Sequence, residues 1–168
     1  VHMLEHLPEE MRPHRQAVVD GVAAVVHPGR DQVEVVDGRT WLFDVAHNTA
    51  GVLSLVDTVD RLDLPRPLVA LVGVLGDKDW RSMLPPLFSR VDYAVLTQAP
   101  SAPPERRWDA KAAADAVAHL CPMRLEPEFQ DAVQRARMEA GEGTVVGTGP
   151  GHTAGAALKV LGREARGD

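Results

Sequence analysis

The stretch WLFDVAHN, residues 41–48, decides the fold of this chain, because it joins a strand pattern directly to a polar turn. Its first three residues are apolar, as at the end of a buried strand, and apolar residues then recur with a helical period at Leu53, Leu55, Val56 and Val59. An acid, an imidazole and an amide (Asp44, His47 and Asn48) therefore occupy one strand-to-helix turn. Ligands of open α/β sheets bind at this carboxyl edge, so the stretch predicts both a fold class and the position of a site.

A second polar turn repeats this arrangement later in the chain. The charged turn at 76–79, which contains Lys78, follows the apolar run Leu68–Leu75 and precedes another helical pattern. A run that is apolar throughout is typical of a central strand covered on both faces. Because the carboxyl ends of parallel strands meet at one edge of a sheet, the two turns predict a single site.

Strand and helix patterns alternate along most of the chain. The predicted strands are Val33–Val36, Thr40–Val45, Leu68–Leu75, Tyr93–Thr97, Met123–Leu125 and Thr144–Thr148. The predicted helices are Thr49–Leu62, Trp80–Phe88, Trp108–His119, Glu128–Ala140 and His152–Leu161. This alternation predicts an α/β fold whose mostly parallel sheet is flanked by helices. Asp37-Gly38 between the first two strands is a strong hairpin signal, which adds one antiparallel edge hairpin.

The two ends of this pattern are less regular. Residues 1–14 are polar, contain proline and have no clear period, so they are interpreted as a tail or linker. Arg15–Val26 carries valines at helical spacing, and the Pro and Gly that follow predict its end. The Pro-rich segment Ala99–Pro104 is interpreted as an exposed loop.

Bulk composition excludes several classes of protein. The 168 residues suit one domain with a real core, and the net charge of −6 argues against nucleic acid as a partner. Cys121 is the only cysteine, so neither a disulfide framework nor a thiolate metal site is expected. No apolar run approaches the roughly 20 residues of a membrane span, and the N-terminus lacks the positive charge of a signal peptide. We therefore expect a soluble, cytoplasmic protein with no membrane partner.

The glycine-rich stretch 147–155 suggests a nucleotide motif, since Gly149, Gly151 and Ala154 match G-x-G-x-x-A. A dinucleotide site is disfavoured, because such a loop comes early in a fold and only one helix follows here. What remains is a strand-to-helix turn whose free N–H groups could receive a carboxylate or phosphate. The chain has no G-x-x-x-x-G-K-[ST] phosphate loop.

Each candidate residue also has a structural interpretation. His47 could complete a turn, Asp44 could be an ordinary helix-end carboxylate, and Lys78 could lie in a solvated turn. Arg30 could be a surface residue. The tail histidines His2, His6 and His14 are joined by no carboxylate or cysteine cluster at ligand spacing, so no metal site is predicted.

Taken in order, four motifs resemble the C-terminal domain of the folylpolyglutamate synthase/dihydrofolate synthase family, a branch of the Mur ligases. They are P-G-R at 28–30, D-V-A-H-N at 44–48, D-K-D at 77–79 and G-P-G-H-T at 149–153. The resemblance covers nearly the whole chain from Arg15 onward. It implies a Rossmann-like, mostly parallel sheet of about six strands.

The same resemblance implies an ATP-dependent amide ligase. In that family ATP phosphorylates a carboxylate of a folate or dihydropteroate substrate, and L-glutamate then attacks the acyl phosphate. An N-terminal ATPase domain carries the phosphate loop and the Mg²⁺ ligands. Residues 1–27 would then be the linker and closing helix of that preceding domain, and residues 28–168 the glutamate-ligase domain, incomplete as a catalyst by itself.

The resemblance also assigns roles to individual residues. Arg30, Asp44 and Asn48 become contacts for ATP, and His47 and Lys78 become catalytic residues. Lys78, His152 and Thr153 become contacts for the glutamate carboxylate. An arginine that the family often has near a Pro-rich loop corresponds to Arg106 or Arg107.

Two positions depart from the family pattern: Thr49 stands where Pro is usual, and Pro150 stands where Ser is frequent. Two alternatives remain open, and these departures motivate the first of them. One is a stand-alone nucleotide- or anion-binding module without catalysis. The other is a Mur-type ligase with a different acceptor.

Overall fold

The computed structural model describes residues 2–25, 27 and 29–163, apart from the side chain of His2. Val26, at the end of the predicted first helix, and Pro28, in the P-G-R motif, lie outside the described residues. The described residues up to His27 form one compact unit, and those from Gly29 onward form a second.

The first unit is more ordered than a plain linker. Two short 3₁₀ turns, His2–His6 and Glu9–Met11, precede helix α1, Arg15–Ala23. α1 ends earlier than its valine pattern predicts, and it buries none of its residues. Val19 and Val22 are 52% and 63% exposed, so the apolar face predicted from sequence is real but uncovered within the described residues.

The second unit is built on a six-stranded sheet with the order β1-β2-β6-β3-β4-β5. The strands are β1 Gln32–Val36, β2 Arg39–Asp44, β3 Leu68–Val72, β4 Tyr93–Leu96, β5 Met123–Leu125 and β6 Thr144–Thr148. All neighbours run parallel except β1 and β2. Asp37 and Gly38 both take positive φ between those two strands, as a type I′ hairpin turn requires. The predicted mostly parallel sheet with one antiparallel edge hairpin is confirmed.

Helices cover both faces of this sheet. They are α2 Thr49–Arg61, α3 Trp80–Phe88, α4 Ala110–Val117, α5 Phe129–Ala140 and α6 Gly151–Val160. Alternate residues of a strand point to opposite faces, so Leu42 packs in the core under α2, α3 and α4 while Trp41 and Phe43 pack in the core under α5 and α6. Within the described part of the chain, no helix is long and apolar enough to cross a bilayer.

Each of these five helices is the first α-helix after a strand, so all of them come after the carboxyl edge of the sheet, although a 3₁₀ turn, Pro104–Arg106, precedes α4. Side-chain caps fix three of the starts. Asn48 Oδ1 accepts a hydrogen bond from Gly51 N at 2.8 Å, and Asp79 and Asp109 cap α3 and α4 in the same way. The polar turns predicted from sequence therefore surround one edge.

Two sequence predictions are wrong in detail. The apolar run Leu68–Leu75 is a strand only to Val72, because the chain then turns and Leu75 forms an antiparallel bridge with Arg107 instead. The loop Ala99–Pro104 is only partly exposed, because Ala99 and Ala102 pack against Leu75 and are nearly inaccessible to solvent. A small third core thus fixes the loops beyond the sheet.

Candidate anion-binding cleft

A cleft of about 1140 Å³ opens at the carboxyl edge of the sheet. The loops after β2, β3, β4 and β6 all contribute to its walls. Four cationic and two imidazole side chains line it: Arg30, Lys78, Arg106, Lys159, His47 and His152. Of the described residues that line the cleft, none is Asp or Glu. A concave surface of one charge sign concentrates ligands of the opposite sign, so this cleft suits a multiply charged anion although the chain is acidic overall.

Arg30 is presented by a turn that Asp44 holds together. Asp44 ends β2, is 6% exposed, and accepts a hydrogen bond from Asp31 N to its Oδ2 at 3.1 Å. Burial raises the pKa of Asp44, while the N–H groups of Asp31 and Ala46 oppose that rise. Val45 N also donates to Gly29 O at 2.7 Å. Asp44 is therefore a buried support of this turn, and Arg30 is exposed on it, beside the exposed Asp31.

The side chain of His47 lines the cleft, whereas that of its neighbour Asn48 caps helix α2. His47 is exposed and lines the cleft, and its Nδ1 lies 3.0 Å from Val45 O. When Nδ1–H donates to that carbonyl, Nε2 is left to accept a proton from a ligand. The Oδ1 of Asn48 caps α2, and Asn48 is not among the described residues that line the cleft.

Lys78 and Arg106 form a charged group around Asp77. Arg106 Nη2 lies 3.0 and 2.9 Å from the two carboxylate oxygens of Asp77, and Lys78 Nζ lies 3.4 Å from Oδ2. The hydrogen bond from Arg106 holds the pKa of Asp77 below its ordinary value of 3.8. Asp77 thereby fixes two cations of the cleft.

The backbone reinforces this arrangement. Gly76 N donates to Arg106 O at 2.7 Å. A Cβ at Gly76 would lie 2.6 Å from the carbonyl oxygen of Arg107, so the two loops approach as closely as they do because residue 76 is glycine. The sequence left two arginines open, and Arg106 is the one that lines the cleft.

His152 and Thr153 begin α6 but point to different surroundings. His152 lines the cleft, and its Nδ1 lies 2.8 Å from Ser101 Oγ. Thr153 is fully buried, and its hydroxyl donates to Gly73 O at 3.1 Å. The hydroxyl of Thr153 is therefore used within the chain, where it ties α6 to the end of β3.

The start of α6 has open N–H groups, as the glycine-rich turn predicts. Pro150 occupies the cap position, and no side chain accepts from the first turn. The turn depends on Gly149, which has φ +139 and whose Cβ would overlap the carbonyl oxygen of Gly73. Such a helix start attracts a carboxylate or phosphate group.

Lys159 is the cleft residue that sequence reasoning missed. It lies seven residues after His152 on α6, and residues at that separation share a face of a helix. That spacing is the signal that would have found it.

The donors of the cleft do not fit a divalent cation. Mg²⁺ prefers oxygen ligands, whereas this cleft presents cations and imidazoles. Within the described part of the chain, no three His, Cys, Asp or Glu side chains group as metal ligands would. We therefore assign no chemical step of this domain to a metal.

The structure defines an α/β domain with a cleft lined by cationic and imidazole side chains at the carboxyl edge of its sheet. Residues 29–150 match the family model described as Mur ligase, glutamate ligase domain. The match covers more than two thirds of the chain. The chain therefore belongs to the Mur ligase family, as a C-terminal glutamate ligase domain.

Curated relatives point to one branch of this family. The chain is 28% identical over 149 residues to a folylpolyglutamate synthase of Lacticaseibacillus casei, covering 87% of this chain and 32% of that protein. It is 40% identical over 81 residues to a dihydrofolate synthase/folylpolyglutamate synthase of Mycobacterium tuberculosis, covering 48% and 16% respectively.

Solved structures agree with this relationship. A Mycobacterium tuberculosis folylpolyglutamate synthase complexed with ADP superposes with a TM-score of 0.78 at 33% identity, over 92% of this chain and 37% of that one. An Escherichia coli FolC in complex with DHPP and ADP gives a TM-score of 0.76 at 27% identity, over 89% and 34%. The chain spans about a third of the length of the proteins it matches.

Proposed function

We propose that this chain is the glutamate-binding part of an ATP-dependent ligase that adds L-glutamate to the carboxylate of a folate or dihydropteroate through an acyl phosphate. The observation that carries the proposal is the cleft, with its four cationic and two imidazole side chains and no carboxylate among its described lining residues. ATP, an acyl phosphate and glutamate are all anions. A related bifunctional synthase has been solved with Mn, AMPPNP and L-glutamate bound, which supports the same set of ligands here.

The proposal makes the chain one part of a larger catalyst. Residues 28–168 form the glutamate-ligase domain, and residues 1–27 form the linker and closing helix that connect it to an ATPase domain. The family match begins at residue 29 and the two compact units divide beside it, which supports this boundary. The phosphate loop and Mg²⁺ ligands belong to the ATPase domain, since the chain lacks the motif. A cytoplasmic location follows from this role.

Arg30 and the turn supported by Asp44 take the phosphate groups in this scheme. A guanidinium donates to two phosphate oxygens at once. Asp44, which is buried beneath the turn, acts as a positioning residue. Asn48 contributes by capping α2 behind the same turn.

Lys78, Arg106 and the open start of α6 take the carboxylates of glutamate, with His152 beside them. His47 Nε2 accepts the proton that the attacking ammonium group must lose. The amine nitrogen then bonds to the acyl carbon, the C–O bond to phosphate breaks, and phosphate leaves. Holding amine and acyl phosphate together in one cleft supplies much of the rate enhancement.

The test is glutamate-dependent ADP release by the enzyme that contains this domain and its ATPase domain. Lys78→Met and Arg106→Met should each raise the KM for glutamate at least tenfold, the loss of one hydrogen bond between charged groups. The matched control is Arg124→Met, since Arg124 is exposed on β5 and pairs with Glu126. An unchanged KM in both cleft variants would refute the assignment of Lys78 and Arg106 to glutamate binding. Robust turnover by the isolated chain would refute the proposal that catalysis needs a separate ATPase domain.

One alternative is a stand-alone anion-binding module. The observation that favours it is the departure from the family pattern at Thr49 and Pro150. Calorimetry of the isolated chain with ATP distinguishes the stand-alone module from the ligase domain. A stand-alone module must bind ATP without any other domain, and its affinity for ATP must fall in the Arg30→Met variant. A ligase with a different acceptor would instead be recognised by profiling acids with the intact enzyme.

A further inference from the structure

The turn that carries Arg30 has left-handed backbone on both sides of that residue. Gly29 and Asp31 take φ values of +69° and +44°. This conformation costs free energy for a residue with a side chain, such as Asp31, so the surrounding structure must hold the turn in place. Asp44 and Val45 hold it from β2, by accepting from Asp31 N and donating to Gly29 O.

Gln32 holds the same turn from β1. Its Oε1 accepts a hydrogen bond from Gly29 N at 2.9 Å, and Gln32 itself is 8% exposed. Gln32 is the first residue of β1, where it pairs with Phe43 of β2. The sheet therefore fixes the position of this acceptor, and the acceptor fixes where the chain enters the turn. A buried N–H without its acceptor would have to move to find another partner.

Glu34 determines which way the amide of Gln32 faces. Gln32 Nε2 donates to Glu34 Oε1 at 3.1 Å, and Glu34 is buried on the same face of β1. A backbone N–H can only donate, and an ionised carboxylate can only accept. Turning the amide over would therefore break both hydrogen bonds and place donor against donor and acceptor against acceptor. The pair allows one orientation of Gln32, the one in which Oε1 faces Gly29.

We propose that Gln32, oriented by Glu34, is a positioning residue that directs Arg30 toward the phosphate groups of ATP. Gln32 is not among the described residues that line the cleft, whereas Arg30 lines it and is exposed. Among the described residues, Arg30 donates no hydrogen bond and forms no ion pair. The backbone of its turn therefore decides where the guanidinium lies. The proposal rests on the proposed function, which gives Arg30 its phosphate partner.

Steady-state kinetics of the enzyme that contains this domain and its ATPase domain test the proposal. Gln32→Met removes the acceptor but keeps the length of the side chain. It should raise the KM for ATP about fivefold, the loss of one hydrogen bond, and leave the KM for glutamate unchanged. Because Gln32 acts through Arg30, the same substitution in an Arg30→Met background should raise the KM for ATP no further. Effects that multiply in the double variant would overturn the proposal.

An exchange of the two side chains provides a rescue experiment. Gln32→Glu alone places two carboxylates side by side, so it should raise the KM for ATP. Adding Glu34→Gln returns one donor to the pair, since position 32 still offers an acceptor to Gly29 N and position 34 can donate to it. The double variant should recover most of the loss. A double variant no better than Gln32→Glu would contradict the role of the pair.

Thr144→Val is the matched control for a purely structural hydrogen bond. Thr144 is buried at the amino end of β6, and its hydroxyl donates to Pro65 O at 2.8 Å. This variant should lower the thermal midpoint and leave the KM for ATP unchanged. The same behaviour in Gln32→Met, beside a raised KM in Arg30→Met, would overturn the inference and leave the proposed function intact. An unsubstituted enzyme without glutamate-dependent ADP release would contradict both.

Discussion

Asp44 supports the turn that carries Arg30, a role that local sequence patterns did not predict. The family resemblance implies in addition that Asp44 contacts ATP. In the fold its carboxylate is buried and receives the N–H groups of Asp31 and Ala46. Burial raises the pKa of Asp44, because the charged carboxylate is less well solvated inside the protein than in water. Through these hydrogen bonds Asp44 supports the turn that carries Arg30.

Asp44→Ala should lower the free energy of unfolding by about 2 kcal/mol, because two backbone N–H groups lose their acceptor. Urea denaturation at pH 7 measures the change. Asp63→Ala serves as the control, since Asp63 is exposed in the loop after α2 and its removal should have little effect. Equal stability of the two variants would contradict the supporting role of Asp44.

The contribution of Asp77 to stability should depend on pH, because its pKa is shifted in the opposite direction to that of Asp44. Its pKa is lowered in the folded chain, so its contribution to stability is present above its ordinary pKa of 3.8 and disappears as the pH falls through the lower, folded value. Asp77→Asn should therefore be less stable than the unsubstituted chain at pH 7, by a small amount because the group is half exposed. The difference in urea midpoint should shrink as the pH falls below 3.8, and a difference that does not depend on pH would rule out this ion pair as its source.

At the scale of elements, the helix starts determine the shape of the cleft. Asn48→Ala should cost about 1 kcal/mol, because the N–H of Gly51 loses its cap. Asn48→Asp retains an acceptor at the same place and should keep nearly full stability. The midpoints of chemical denaturation of both variants provide the test, and equal losses would mean that the cap bond contributes little.

Gly149, in the turn between β6 and α6, and Gly155, inside α6, make a matched pair. Gly149→Ala should destabilise the chain by about 2–3 kcal/mol, because Gly149 has a positive φ and its Cβ would meet the backbone of Gly73. Gly155→Ala lies inside α6 with nothing within 4 Å of the new Cβ, so it should stabilise by about 0.5–1 kcal/mol. Thermal unfolding of both variants checks the two signs, and a stable Gly149→Ala would show that the turn can relax.

Sequence patterns predicted the elements better than they predicted exposure or contacts. β5, β6 and α3 have the predicted bounds, because strong periodicity and local caps define them. Strand β3 was predicted too long, since apolar composition does not tell where strand pairing stops and Leu75 packs elsewhere. The turns that contain His47 and Lys78 were predicted to share one edge because parallel strands end there, and both residues line the cleft. Arg30 and His152 were reached only through the family resemblance. The burial of Thr153 depends on its contact with Gly73, which is 80 residues away in sequence. The unpartnered hydroxyl of Thr97 depends on the packing of the side chains around it. No local sequence pattern encodes either feature.

At the scale of the whole molecule, the two compact units should be thermodynamically separable. Helix α1 buries none of its residues, whereas residues 29–163 contain their own cores on both sheet faces. A chain that begins at residue 28 should therefore unfold within a few degrees of the full chain. Calorimetry of both lengths measures this, and a large fall in the midpoint would show that the first unit stabilises the second.

The position of β6 also has a consequence for synthesis on the ribosome. The last strand to be made lies between β2 and β3, and Thr40 pairs with Thr144, 104 positions later. Until that strand emerges, both of its neighbours present open backbone edges, which are prone to pair with other chains. Such distant pairing is also slow to form. We therefore expect the open edges of β2 and β3 in a nascent chain to need protection, for example by chaperones, until residues 144–148 have been made.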